Sequence, residues 1–319
     1  MAPPTTPNSQ PSAPTPTHDF RATEPPAAKV HVALVVVQIW FASLGVASKV
    51  VLRELPPRGL IALRASFGAL FFLALWLLRG RERVALADLG RIALYGLFGI
   101  AANQLLFIEG LQRTSATNAV VLQASIPVFT VAVALLLGLE RATAWKLGGL
   151  VLALAGALVV TGVWRFRAED ARALVGNLLV LGNAMCFAIY LVVSRGVLAR
   201  VRPTTAIAFT FLFGALFLLP LGARGFVAAA PAIDRHTWLI VAYILAFPTV
   251  GTYLITAWSL SRAPSSLVAI YIYLQPVIGA LLAACFLGER PTIAVLVGAP
   301  LIFAGIWLAG RSARAERRA

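Results

Sequence analysis

Acidic residues are scarce in this chain. Asp and Glu number 12 among 319 residues against 27 Lys and Arg, and all charged types together reach only 12%. With 60% hydrophobic residues and a mean hydropathy of +0.87, that thin charge complement excludes a soluble protein. Cysteine is limited to Cys186 and Cys285, both inside apolar runs, which excludes a disulfide framework and leaves two buried, inert thiols as the expectation. His18, His31 and His236 are scattered, so no cluster marks a metal or hydrolytic centre, and no metal or other cofactor is expected. A Gly-x-x-x-x-Gly-Lys-Ser/Thr phosphate loop is also missing, which sets nucleotide-driven transport aside.

What the chain has in abundance is long apolar runs. A helix needs about 20 mostly apolar residues to cross a bilayer. Such runs fall near 32–52, 58–78, 91–111, 115–138, 146–164, 174–194, 204–221, 237–259, 264–287 and 292–310, separated by short clusters of Arg, Pro, Gly and Ser. The pattern predicts an all-α integral membrane protein with ten transmembrane helices, antiparallel in sequence order because the links are short. Residues 1–28, rich in Pro, Ser and Thr, read as a disordered cytoplasmic tail, and 312–319 as a short basic one. The first run is too long for a signal-peptide core and is read as a retained span.

A net charge of +15 would suggest nucleic acid in a soluble protein. Here the basic residues sit at span ends, with no continuous basic face and interleaved aromatics, so membrane lipids are the expected partner and nucleic acid is not. Cytoplasmic termini place the larger share of Lys and Arg inside, including Arg79, Arg81, Arg83 and Arg91 and the C-terminal Arg311, Arg314, Arg317 and Arg318. The Ala- and Arg-rich composition suggests a bacterial inner membrane. A homodimer stays open.

The two halves repeat. At an offset of 149, Pro127 falls on Pro276, Glu140 on Glu289, Arg141 on Arg290, Thr143 on Thr292, Gly149 on Gly298 and Gly156 on Gly305. One unit used twice predicts a first five-helix repeat at 29–167 and a second at 168–311. An odd number of spans per repeat makes the second copy inverted, the arrangement that alternating-access carriers exploit.

Polar groups inside spans are the candidate site. Pro127 and Pro276 lie within runs, where the missing N–H frees a carbonyl that lipid cannot satisfy, so both are read as helix breaks. Gln123 and Gln275 stand beside them. Trp40, Asn103, Gln104, Asn183, Tyr190, Tyr253 and Tyr273 complete the candidate solute-binding set, each alone more often a helix-bridging or interfacial group than a ligand contact. Lys49, Arg64 and Glu109 lie toward the outer ends of successive spans, and an Arg64–Glu109 or Lys49–Glu109 pair is expected, serving structure, gating, attraction of a solute carboxylate or proton coupling. Glu140-Arg141 and Glu289-Arg290 are read as loop anchors at headgroup level, with gating as the alternative. Gly149, Gly156, Gly298 and Gly305 are read as packing faces.

The first hairpin, with Trp40, Lys49, Pro56-Pro57 and IALRASFGALFFL at 61–73, and the stretches TSATNAVVLQASIPVFTVAVALLLGLERATAWKLGG at 114–149 and APSSLVAIYIYLQPVIGALLAACFLGERPT at 263–292, resemble the EamA-type branch of the drug/metabolite transporter superfamily. The resemblance runs from about Val32 to Gly310 and departs only at the interrupted GLER of 138–141. It implies ten spans, cytoplasmic termini, a central cavity, and export or uptake of metabolites such as amino acids. The expected function is thus secondary transport of a small metabolite, by export, with protons as an open coupling ion. An integral membrane enzyme acting on lipid, a channel and a purely structural duplicated bundle remain as alternatives.

Overall fold

The computed structural model describes residues 28–114, 116–161, 171–287 and 293–315. The expected N-terminal tail lies outside these residues apart from Ala28, as do Glu289 and Arg290. Among the described residues there is no strand. The physical reason is the solvent: in hydrocarbon every backbone N–H and C=O must be satisfied within the segment, and a helix does that alone.

In chain order the helices are α1 (Ala28–Val51), α2 (Pro57–Leu78), α3 (Leu86–Gly96), α4 (Asn103–Leu111), α5 (Ala116–Gln123), α6 (Ile126–Leu136), α7 (Ala144–Thr161), α8 (Ala171–Leu198), α9 (Pro203–Ala229), α10 (Arg235–Ile244), α11 (Thr252–Leu260), α12 (Ser265–Ile270), α13 (Leu274–Leu287) and α14 (Ile293–Ala315). A π-helical turn, Leu97–Ala102, joins α3 to α4, and a second, Leu245–Gly251, joins α10 to α11. Among the described residues six stretches are long and apolar enough to cross a membrane: Ala28–Gly45, Pro57–Leu78, Leu86–Leu111, Ala171–Leu198, Pro203–Ala232 and Arg235–Leu260. Four shorter apolar helices accompany them, Val121–Leu136, Ala144–Val160, Ser265–Gly279 and Ile293–Ala309.

Local chemistry sets the helix starts. Pro57 and Pro203 each occupy the first turn, where the missing N–H costs nothing. Asp234 caps α10, its side chain accepting from the Thr237 N–H at 2.7 Å. The sequence placed a long break at 222–236. Instead α9 continues through Pro220 to Ala229, and a 3-10 turn, Ala230–Ala232, makes the link. Similarly α14 runs to Ala315, so the start of the expected basic tail is helical.

Packing repeats between the halves. α2 lies along α9, and α7 lies along α14. The latter pair meets through its glycines: a Cβ on Gly149 would come within 2.6 Å of the Gly305 carbonyl, and one on Gly156 within 2.6 Å of the Gly298 carbonyl. Absent side chains let these backbones touch. α1 packs on α10 and α11 while α8 packs on α3 and α4, so each half lays its first helix against the other's π-turn helix. Outward faces carry exposed Leu70, Val151, Leu216, Phe303 and Trp307, as a lipid-facing surface should. Cys186 is buried, but Cys285 is exposed on α13, correcting the expectation of two buried thiols.

Candidate functional site

The two helices that carry mid-span prolines are both interrupted. α5 ends at Gln123, and the Ala124 and Ser125 N–H groups donate to the Val121 and Leu122 carbonyls in tightened turns before α6 begins. In the second half a 3-10 turn, Tyr271–Tyr273, separates α12 from α13 three residues ahead of Pro276. Each break lies within about one helical turn before its proline, where the ring displaces the carbonyl four residues back. A tightened turn thus precedes each of Pro127 and Pro276, and beside them polar atoms lack partners among the described residues. Gln123 Oε1 and the Tyr273 hydroxyl are buried without a hydrogen bond, and in a well-packed interior such orphans are uncommon. Gln275 does find one: its Nε2 donates to Gln38 Oε1 of α1 at 2.8 Å. Tyr271 meets His31 at 2.5 Å.

The π-turns supply the second part of the site. Gly99 lies in the first, and Tyr190 of α8 packs so close that a Cβ at Gly99 would meet its ring at 2.5 Å. Gly251 lies in the second, and Trp40 of α1 would meet a Cβ there at 2.6 Å. Thus two candidate aromatics, one from each half, are seated on glycines of the opposite half. The Tyr253 hydroxyl donates to the Gly99 carbonyl, inside the first π-turn, at 3.4 Å. Asn103 and Asn183 exchange bonds, each side-chain amide donating to the other's backbone carbonyl, at 3.4 and 2.8 Å, which leaves Asn183 Oδ1 buried and unpartnered.

Arg64 is buried between these elements, with 8% of its surface exposed. Its Nε donates to Thr249 Oγ1 at 3.0 Å, inside the second π-turn, and its Nη1 donates to Gln104 Oε1 at 3.2 Å, just beyond the first. No described carboxylate pairs with it. The expected Arg64–Glu109 pair is not formed: Glu109 binds Arg58, and Arg113 Nη1 at 2.8 Å. The reason is depth. Arg58 lies six residues nearer the end of α2 than Arg64, and Arg113 follows Glu109 by four residues in the turn just after α4, so the carboxylate is neutralised at the rim. The Lys49 side chain lies outside what is described. An arginine at span depth costs about 3 kcal/mol on insertion scales, whereas interhelical hydrogen bonds in membranes average about 0.6 kcal/mol each. Two neutral acceptors leave the Arg64 charge undercompensated.

Glu140, read from the sequence as a loop anchor, joins the link after α6 to the other half. The side chain is buried, accepts from Ser265 Oγ at 2.7 Å, from the Ser266 N–H at 3.2 Å and from the Ser266 hydroxyl, and pairs with Lys146 Nζ at 3.2 Å. Arg195 of α8 stands 3.9 Å away. Burial pushes this carboxyl up, but Lys146 and the serine hydrogen bonds outweigh it and hold it below its ordinary value. A carboxylate on the link between α6 and α7 thus caps the start of α12 in the other half. Sequence inspection missed Ser265, Ser266 and Thr249; Pro264-Ser265-Ser266 is a helix-start signal, but nothing in it names the distant partner.

The EamA-like transporter family profile matches residues 28–162 and 174–311. An uncharacterized transporter of Archaeoglobus fulgidus is 25% identical over 88% of this chain and 96% of its own length. The "Probable terminal-alkyne amino-acid exporter" of Streptantibioticus cattleyicolor is 29% identical over 75% of this chain and 79% of its own. A WAT1-related protein of Arabidopsis thaliana is 27% identical, covering 89% and 86%. A solved crystal structure at 21% identity superposes with a TM-score of 0.74 over 90% of this chain and 98% of that one, a likeness of fold.

Proposed function

The chain belongs to the EamA-like transporter family, and we propose that it is a secondary carrier that moves a small metabolite by alternating access. It is an integral membrane transporter and not an enzyme. The reading assigns it ten spans, in which α5 with α6 and α12 with α13 each form one broken span. It divides them into inverted repeats at 29–167 and 168–311, with the termini in the cytoplasm of a bacterial cell and the chain in the inner membrane.

One observation carries the mechanism: the mid-span breaks and the π-turns of one half have counterparts in the other. The break before Pro127 matches the break before Pro276, and the π-turn Leu97–Ala102 matches Leu245–Gly251. Irregular backbone inside a membrane is tolerated where it lines a cavity or is buried in protein, and paired breaks between exchanged halves supply the hinge elements that a rocking carrier requires. Gln123, Gln275, Asn103, Gln104, Asn183, Trp40, Tyr190, Tyr253 and Tyr273 are proposed to face the solute path, with the unpartnered Gln123, Asn183 and Tyr273 atoms as contact points. Export of an amino acid or a derivative is the favoured activity, supported by the exporter among its relatives. Proton coupling is compatible with this reading but not required by it.

The test is counterflow. Purified protein in liposomes should exchange labelled amino acids or small aromatic metabolites saturably, and Gln123→Leu or Gln275→Leu should reduce that exchange while the protein remains folded. Absence of exchange across a broad panel by folded protein would overturn the reading.

A further inference from the structure

Arg64 presents a combination that a purely structural arginine does not need. It is buried, no described carboxylate neutralises it, and it is held by one acceptor from each of the two π-turn helices, Thr249 Oγ1 and Gln104 Oε1. Both acceptors are neutral, so they orient the guanidinium without discharging it. The basic groups nearer the rim are treated differently: Arg58 and Arg113 both bind Glu109. In low dielectric an undercompensated cation attracts an anion strongly, and a planar guanidinium matches a carboxylate in two parallel hydrogen bonds.

We infer that Arg64 is the anchor for the carboxylate of the transported solute, so that the carried class is small monoanionic or zwitterionic carboxylic acids. This rests on the carrier reading above. One buried guanidinium matches a single negative charge, and a phosphate dianion would call for more. A polar group on the same helix as Gln104 would suit the other end of a zwitterion. Asn103 precedes Gln104 in α4, and its partner Asn183 keeps a buried, unpartnered Oδ1 that suits an N–H donor such as a solute ammonium. Arg64 also links α2 of the first half to the π-turn of the second, so a carboxylate drawing the guanidinium away from Thr249 would loosen a contact between the halves.

The probes are phenylalanine, phenylalaninamide, phenethylamine and 3-phenylpropionate, matched in shape and differing in the carboxylate and the ammonium. Each is tested for thermal stabilisation of the purified protein and for counterflow in liposomes. Phenylalanine should raise the unfolding temperature and exchange, phenylpropionate should retain part of the effect, and the amide and amine should be weaker by about tenfold or more in half-saturating concentration, as expected for one lost charged hydrogen-bonded pair. Arg64→Gln should abolish that discrimination, and Arg64→Lys should restore part of it. If the wild type takes the amine or amide as readily as the acid, or if folded Arg64→Gln still prefers the acid, the anchor is wrong while the carrier reading stands. Stabilisation by acids without exchange of any probe would sustain the anchor and count against the carrier. With neither stabilisation nor exchange by either acid the anchor falls, and the broad counterflow panel then decides the carrier reading.

Discussion

Thr249 accepts a hydrogen bond from Arg64 across 185 positions of sequence, at 3.0 Å and inside a π-helical turn. The contact ties the second helix of one half to the irregular backbone of the other, so it is the natural place to separate stability from transport. Thr249→Val keeps the shape and removes the acceptor. Loss of one such bond should cost about 0.5–1.5 kcal/mol, read as a small fall in the unfolding temperature in detergent. Transport should change more than stability, with a shifted half-saturation for acidic solutes in liposomes.

Glu140 links the two halves at the start of α12 through Ser265 and Ser266 while pairing with Lys146. Its carboxyl is held below its ordinary value in the folded protein. Its contribution is therefore fully present above the ordinary carboxylate range and is lost as pH falls through the lowered folded value. Glu140→Gln should be destabilised by about 2–3 kcal/mol at pH 7. The gap between wild type and variant should close on acidification, measured by thermal unfolding over a pH series. A gap that stays constant to low pH would contradict the ionised pairing.

At the rim, Glu109 is shared by Arg58 and Arg113. Arg58 is 53% exposed, so water screens the pair and its worth should be at most about 1 kcal/mol. Arg58→Glu should lower stability slightly and Glu109→Arg more, because Glu109 is the less exposed partner and Arg113 remains beside it. The double exchange should recover part of the loss, measured as a double-mutant cycle. Arg64→Glu with Glu109→Arg should show no such recovery.

The contact between α7 and α14 can be tested by volume. Gly156→Leu and Gly298→Leu would force side chains onto backbone that leaves a Cβ only 2.6 Å from the facing carbonyl. Each should cost about 1–3 kcal/mol or abolish folding. Gly45→Ala, where a Cβ meets nothing within 4 Å, should be neutral or slightly stabilising. Equal effects at both kinds of site would refute the packing role.

Much of the fold was legible because hydrocarbon leaves few choices. The apolar runs overlap the helices among the described residues, since a segment of that composition has nowhere to satisfy its backbone except in itself. Pro127 and Pro276 announced the breaks through their missing N–H groups. The paired π-turns were not legible, because Leu97–Ala102 carries no composition that separates it from regular helix. Pro248 falls inside the second but has no counterpart in the first. The charge pairing was misread for a similar reason: Arg58 and Arg64 are two arginines on one helix, and only their depth decides which one meets Glu109.

By itself the sequence determined the solvent, the helical class, the duplicated motif and the places of the two mid-span prolines. Each is a local or periodic property, set by hydropathy, by proline and by repetition. Tertiary structure alone decided that Arg64 lies between the two π-turn helices with no described carboxylate beside it, that Glu140 caps α12 of the other half, and that Trp40 and Tyr190 rest on Gly251 and Gly99 of the opposite halves. Those relations depend on which helices pack together and how deeply each residue sits. Neither quantity is contained in the spacing of residues along the chain.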